Sequence, residues 1–367
     1  MTPGHVPFID LRPGEDDEAV RAAIDRVIAR GWFVLGPEVE AFEAEFAAAS
    51  GAAFAVGVGS GTDAIALLLR AIGVRPGDEV VVPAITAAYT GLAVILAGAT
   101  PVFADVDPGT LTIDPASCEA VITPRTVAIV PVHLYGQPAD LHAIRTIAQR
   151  HSLAIVEDCC QAHLATHDGA PVGARSSGAF SFYPTKNLGA LGDGGAVTTS
   201  DAAIAGRVRR LRNGGQAERY VHAEAGVNSR LDELQAAVLR ARLPLLPRWT
   251  ARRRTLAAAY RRLLGGPVRP LDQRDRGHVY HLFVVRSADR DALQAHLRAS
   301  NVETLIHYPV PLPRQPAFGA VTRGDCPVAA RAVEEILSLP LHARLSEAGV
   351  EQVCSAVDAF QKGRILA

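Results

Sequence analysis

Residues 179–199 read AFSFYPTKNLGALGDGGAVTT. Two short apolar runs, Ala179–Phe182 and Gly195–Thr199, flank a glycine-rich loop that holds Lys186. Their length suits strands rather than helices. The same grammar continues outward. Ala53–Val58, Glu79–Val82, Pro101–Val106, Val127–Val132 and Leu153–Glu157 read as strands. Between them, Ala64–Ile72, Tyr89–Ala97 and Asp140–His151 have helical spacing, as do residues 17–30 and 38–49 upstream. Strands alternating with helices, bounded by Gly or Pro, predict an α/β fold with a mostly parallel central sheet and helices on both faces. The long helical stretch 229–263, interrupted at Pro244 and Pro247, suits a link between two domains. Beyond it, Val279–Val285 and Glu303–Ile306 read as strands, and Arg290–Ser300 and Ala329–Leu337 as helices. The expected division is a large domain over residues 1–245 and a smaller α+β domain over residues 246–367.

The chain has 367 residues, 49% hydrophobic and 20% charged, with a formal net charge of -1. That balance gives no basic field for nucleic acid or an anionic membrane surface, so neither is an expected partner. No apolar run is long enough for a membrane span, and no signal peptide is visible, so a cytoplasmic location is expected. Five cysteines lack metal-ligand spacing, so reduced structural thiols and no metal are expected. The run Arg252-Arg253-Arg254 reads as a solvated helix face. Of 37 basic residues only two are lysines, Lys186 and Lys362. A surface Lys is readily replaced by Arg. A Lys that must lose its proton and attack a carbonyl is not, because guanidinium stays protonated.

Three segments could carry chemistry at predicted strand ends, where α/β sheets place their ligands. Lys186 precedes a turn whose glycines allow close backbone approach. A surface loop lysine would look the same. Asp158 closes the apolar run of VEDCCQAH (156–163), where it could hold a proton on a pyridine nitrogen or simply cap a helix. Gly59-Ser60-Gly61-Thr62-Asp63 lies at a strand-to-helix turn and could bind a phosphate or merely cap. Together they supply an amine, a ring-nitrogen partner and a phosphate cradle.

With GPEVEAFE (36–43), SGTDA (60–64), PVHLYGQ (131–137), VEDCCQAH, FSFYPTKNLG (180–189) and GVNSRLDELQAA (226–237), the chain resembles the DegT/DnrJ/EryC1/StrS sugar aminotransferases of fold type I over nearly its whole length. The resemblance implies pyridoxal 5'-phosphate as cofactor. Lys186 matches the Schiff-base lysine, and Asp158 the pyridinium partner. Gln161 matches a residue on the ring-hydroxyl side. Gly61, Thr62 and Ser181 match phosphate-holding positions, and Asn228 a residue that reaches the neighbouring subunit's phosphate. A homodimer with shared sites is therefore implied. So is ping-pong transfer of an amino group from L-glutamate to a keto group of a nucleotide-linked, dTDP-type deoxy sugar. Lys186 would shuttle the proton. Tyr183, His307 and Tyr308 are the candidate substrate contacts. The stretch TLIHYPVP (304–311) looks most like enzymes that aminate C3 of a dTDP-3-keto-6-deoxyhexose. Relatives with His at the lysine position are dehydratases, and Lys186 favours transamination. Two departures touch the substrate side: Ala87 replaces a ring-stacking aromatic, for which Tyr89 two places on either compensates or, pointing elsewhere on its helix, packs in the core, and Pro313 stands where the C3 subgroup commonly has His. A keto-inositol aminotransferase and a non-catalytic cofactor-binding regulator are the alternatives.

Overall fold

The computed structural model describes residues 4–12, 14–319 and 325–365. Two helices, α1 (Asp17–Arg30) and α2 (Pro37–Ser50), precede the first strand. The alternating segment then runs β1 (Phe54–Val58), α3 (Gly61–Ala71), β2 (Glu79–Pro83), α4 (Ala88–Leu96), β3 (Thr100–Ala104), α5 (Pro115–Ala120), β4 (Thr126–Ile129), α6 (Leu141–His151) and β5 (Ala154–Asp158). Strands β6 (Ser177–Ser181) and β7 (Gly195–Thr199) bracket the Lys186 loop, and α7 (Ala202–Leu211) follows. The sheet order is β1-β7-β6-β5-β4-β2-β3. Strands β6, β5, β4, β2 and β3 pair in parallel, whereas β7 runs antiparallel to both its neighbours.

Both faces of this sheet are covered, which explains the apolar character of its strands. Val80 and Val82 pack on one side with Leu67 and Leu68 of α3, while Val81 points to the opposite side with Ile144 and Ile147 of α6. Near the Lys186 loop, Phe180 and Phe182 meet Phe42 and Phe46 of α2 edge to face, with centroids 5.0–5.3 Å apart. Such pairs add about 0.5–1.5 kcal/mol each beyond simple burial.

The expected long helix is two helices, α8 (Glu233–Arg242) and α9 (Leu246–Leu263), joined by a 3-10 turn at Leu243–Leu245. Pro244 and Pro247 each fall in a first turn, where the missing N–H costs nothing. The C-terminal part holds an antiparallel sheet of β8 (Arg269–Pro270), β9 (Phe283–Arg286) and β10 (Ile336–Leu339). Around it lie α9, α10 (Arg290–Ala299), α11 (Pro327–Glu335) and α12 (Glu347–Ile365). Tyr260, Phe283, Leu293 and Val353 share its core, which Val6 joins from the N-terminal segment.

Several expectations need correction here. The strand expected from Val279 begins only at Phe283, because Tyr280 has φ 47° and Arg253 takes the carbonyls of Tyr280 and His281. Glu303–Ile306 makes one bridge, Leu305 to Ser338, rather than a strand. The helix expected to reach Leu337 stops at Glu335, and the next four residues form β10. Arg253 is 6% exposed rather than solvated. Tyr89, at 65% exposed, packs in no core. No helix among the described residues is long and apolar enough to cross a membrane.

Candidate active site

Asp158 is the last residue of β5, and the backbone fixes it from both sides. Its N–H donates to the Pro131 carbonyl (2.9 Å) and its carbonyl accepts from the His133 N–H (3.1 Å). The side chain is 4% exposed. Oδ2 accepts from the Thr90 hydroxyl at 2.8 Å, and Oδ1 from the Cys160 N–H at 3.0 Å. Thr90 lies 3.1 Å from Thr86, oxygen to oxygen, so Thr90 of α4 and Thr86 just before that helix form a hydroxyl pair behind the carboxylate. Asp158 has no ion pair among the described residues. A buried carboxylate without a cation is costly, which fits a group that brings its own positive charge.

Lys186 sits in a tight turn, its N–H donating to the Tyr183 carbonyl at 2.8 Å. Gly189 closes that turn: a Cβ there would stand 2.4 Å from the Pro184 carbonyl oxygen. The residue as a whole is half-buried, and desolvation of its amine lowers the pKa below the ordinary lysine value, against the opposing pull of Cys160 and Asp158. A less basic amine spends more time neutral and nucleophilic. Asn187, next in chain, is anchored to the Val279 carbonyl at 3.1 Å.

The third segment caps α3. The Ser60 hydroxyl accepts from the Asp63 N–H at 3.1 Å. Gly61 is the close approach: a Cβ would lie 2.7 Å from both Cys160 Sγ and Ser181 Cβ. The helix N-terminus therefore meets Ser181 at the end of β6, with Thr62 next in the chain. This is a cradle a side chain at position 61 would fill, and its chemistry suits a phosphate. Ser229 ties the turn from outside, accepting from Gly59 N–H (2.9 Å) and donating to Asp63 (2.8 Å). Asn228, one residue earlier, is exposed and bridges to Asn213.

Gln161 is 4% exposed and bonded at both ends of its amide. Oε1 accepts from the Tyr135 N–H at 2.7 Å and Nε2 donates to the Tyr308 hydroxyl at 3.0 Å. The Tyr135 hydroxyl in turn donates to the His307 carbonyl. The His307 ring stacks on Phe8 and its Nδ1 lies 2.9 Å from the Ser338 hydroxyl. Thus Gln161, His307 and Tyr308 come together, while Tyr183 stands apart at 51% exposed. Ala87 is the residue before α4 and offers no ring.

Thr90, Thr86, Tyr135 and His163 were not among the residues singled out from sequence. His163 Nε2 lies 2.9 Å from the Ser181 carbonyl, so that nitrogen carries the proton. Burial lowers its pKa to about 3, keeping it neutral. Its position five residues after Asp158 is the one sequence signal that could have found it.

Comparison with known proteins places the chain among its relatives. The model of the DegT/DnrJ/EryC1/StrS aminotransferase family matches residues 14–358. The erythromycin biosynthesis sensory transduction protein EryC1 of Saccharopolyspora erythraea is 51% identical over 362 residues, covering 96% of this chain and 99% of that one. A dTDP-3-amino-3,4,6-trideoxy-alpha-D-glucose transaminase of Streptomyces venezuelae is 49% identical, covering 96% and 95%. Among solved structures, S. venezuelae DesV in complex with a ketimine intermediate superposes with a TM-score of 0.95 at 47% identity, covering 97% of this chain and 98% of that one.

Proposed function

The chain belongs to the DegT/DnrJ/EryC1/StrS aminotransferase family, and from that premise we propose that it transfers an amino group from L-glutamate to a keto group of a dTDP-linked deoxy sugar. The observation that carries this reading is the juxtaposition of a buried Asp158 in no ion pair among the described residues, a Lys186 amine made less basic by desolvation and the close approach of Gly61 to Ser181. In this reading they serve the ring nitrogen, the aldehyde carbon and the phosphate of pyridoxal 5'-phosphate, from the end of β5, the loop after β6 and the start of α3.

Bound there, the cofactor supplies a ring that withdraws electrons from the carbon bearing the amino group. The protein's own residues do the rest. Asp158, held by Thr90, keeps a proton on the ring nitrogen. Ser181, Thr62 and the backbone at Gly61 hold the phosphate. Lys186 anchors the cofactor at rest and carries the proton at the reacting carbon as base and then as acid. Gln161 steadies the ring-hydroxyl side through Tyr135 and Tyr308. His307, Tyr308 and Tyr183 contact the substrate. Asn228, exposed and beside the capped turn, extends to the partner's phosphate in a homodimer. The exposed apolar residues Trp32, Phe33 and Tyr220 support such an interface. The division after residue 245 separates the cofactor domain from the smaller one, and the location is cytoplasmic.

The printed name of the Saccharopolyspora relative, a sensory transduction protein, is the ground for a second reading in which the cofactor is held without turnover. Amino-15N glutamate, holoenzyme and a panel of 3-keto and 4-keto dTDP sugars and keto-inositols decide between them. The account expects 15N in a dTDP amino sugar by mass spectrometry. Label in an aminocyclitol, or in no product, contradicts it.

A further inference from the structure

Glu157, one residue before Asp158, is 0% exposed and takes no part in the chemistry of the site. Consecutive strand residues face opposite sides of a sheet. Asp158 accordingly meets Thr90 of α4, while Glu157 points toward α6, where Arg145 Nη2 stands 3.5 Å from its Oε1. Glu157 Oε2 accepts from the Gly173 N–H at 2.7 Å and lies 3.0 Å from His133 Nε2. The His133 ring, also 0% exposed, accepts the Ala139 N–H on Nδ1 at 3.1 Å. Its proton therefore sits on Nε2 and is donated to Glu157. Burial would raise the Glu157 pKa, but the bond from His133, the Gly173 N–H and the Arg145 charge more than reverse it, so the acid is ionised at neutral pH. A well-packed apolar pair of similar volume commonly stabilises a core as well as a buried ionic pair does, so stability alone does not call for this arrangement.

His133 touches both acidic residues. Its side chain holds Glu157, and its backbone N–H donates to the Asp158 carbonyl at 3.1 Å. Strands β4 and β5 pair at Ala128–Ala154 and Ile129–Ile155, and the next bridge is Val132–Asp158. Pro131, in the stretch between, has no N–H to give. Asp158 thus stands beyond a gap in the ladder, and the Glu157–His133 bond spans that gap through side chains. Two residues on, the Tyr135 N–H donates to Gln161 Oε1 at 2.7 Å, so the same segment also sets Gln161.

We infer that Glu157 and His133 are positioning residues, whose buried hydrogen bond locks segment 131–133 against the end of β5 and so aims Asp158 at the ring nitrogen of pyridoxal 5'-phosphate. The inference rests on the reading in which Asp158 keeps that nitrogen protonated. It adds two residues that act only through Asp158.

Nitrogen NMR tests this on holoenzyme carrying ring-15N pyridoxal 5'-phosphate, titrated over pH, because the chemical shift reports whether the ring nitrogen holds its proton. His133→Asn keeps an acceptor for the Ala139 N–H and deletes the bond to Glu157. Glu157→Ala removes the acceptor from the other side, and Glu157→Gln restores an oxygen for both donors. A misaimed Asp158 stabilises the ring proton less, so the nitrogen loses it at lower pH. We expect the midpoint to fall by about one pH unit or more in His133→Asn and Glu157→Ala, with kcat down about tenfold and KM for glutamate within about twofold. Glu157→Gln is expected to recover both the midpoint and the rate. His133→Asn decides the matter alone should Glu157→Ala not fold. A midpoint at the parent value in these variants, whatever their thermal stability, overturns the inference, provided Asp158→Asn removes the ring proton. An Asp158→Asn protein that keeps the parent midpoint overturns the role given to Asp158, and this inference with it.

Discussion

Replacing Thr90 with Val keeps the shape of the side chain and deletes one hydroxyl. That hydroxyl donates to Asp158 Oδ2 at 2.8 Å inside a buried site, while the Cys160 N–H donates to Oδ1. A hydrogen bond to a charged group contributes about 1.5–3 kcal/mol. If Asp158 must stay ionised opposite the ring nitrogen through both half-reactions, the loss falls on kcat. At about 1.4 kcal/mol per factor of ten, the expected drop is roughly 10- to 150-fold. Steady-state amination by Thr90→Val, beside thermal unfolding of the same preparation, reads this out. Thr90→Ser, which restores a hydroxyl, is expected to recover most of the rate. A Val variant whose kcat stays within twofold of the parent refutes the reasoning, since Asp158 would then need no support from α4.

Glu233 makes a separate, structural prediction. It is 0% exposed, and its carboxylate accepts from the N–H groups of Gly36, Glu38 and Val39 at 2.8–2.9 Å, capping α2 from α8. Glu233→Ala is expected to cost about 3 kcal/mol or more in urea unfolding, since it orphans three buried donors; a loss under 1 kcal/mol would contradict that. Gly61→Ala should abolish cofactor retention with little change in secondary structure, because its Cβ would sit 2.7 Å from Ser181 and Cys160; full occupancy by absorbance would refute the cradle. For pH, burial lowers His163 and His278 to about 3. Both are neutral in the fold, while the unfolded chain protonates them below about 6.5. The unfolded state then binds more protons, so their contribution is full above pH 6.5 and is lost as pH falls toward 3. The unfolding midpoint is expected to drop between pH 7.5 and 5, and a rise over that window would contradict the assignment.

Much of this architecture is legible in the chain because it is local. Period and punctuation locate β1 to β7, and the scarcity of lysine singles out Lys186. What escapes is set by distance in sequence. The Thr90–Asp158 bond spans 68 residues, and Gln161–Tyr308 spans 147. No spacing rule links them. Arg253 reads as solvated because its neighbours Arg252 and Arg254 are, yet three carbonyls of other segments draw it inward. The boundary of β9 shifts for the same reason: those carbonyls are spent on Arg253 and unavailable to a ladder. Strand Ile336–Leu339 was hidden within an apolar run that helical spacing fits equally well.

Because the chain holds only two lysines, the claim that Lys186 carries pyridoxal 5'-phosphate has a binary test. Borohydride fixes the cofactor covalently to the amine that holds it, and peptide mass spectrometry locates the adduct. The account predicts label on the peptide containing Lys186 and none on that containing Lys362. Label on Lys362, or an unlabelled Lys186 in protein that has bound the cofactor, would contradict it.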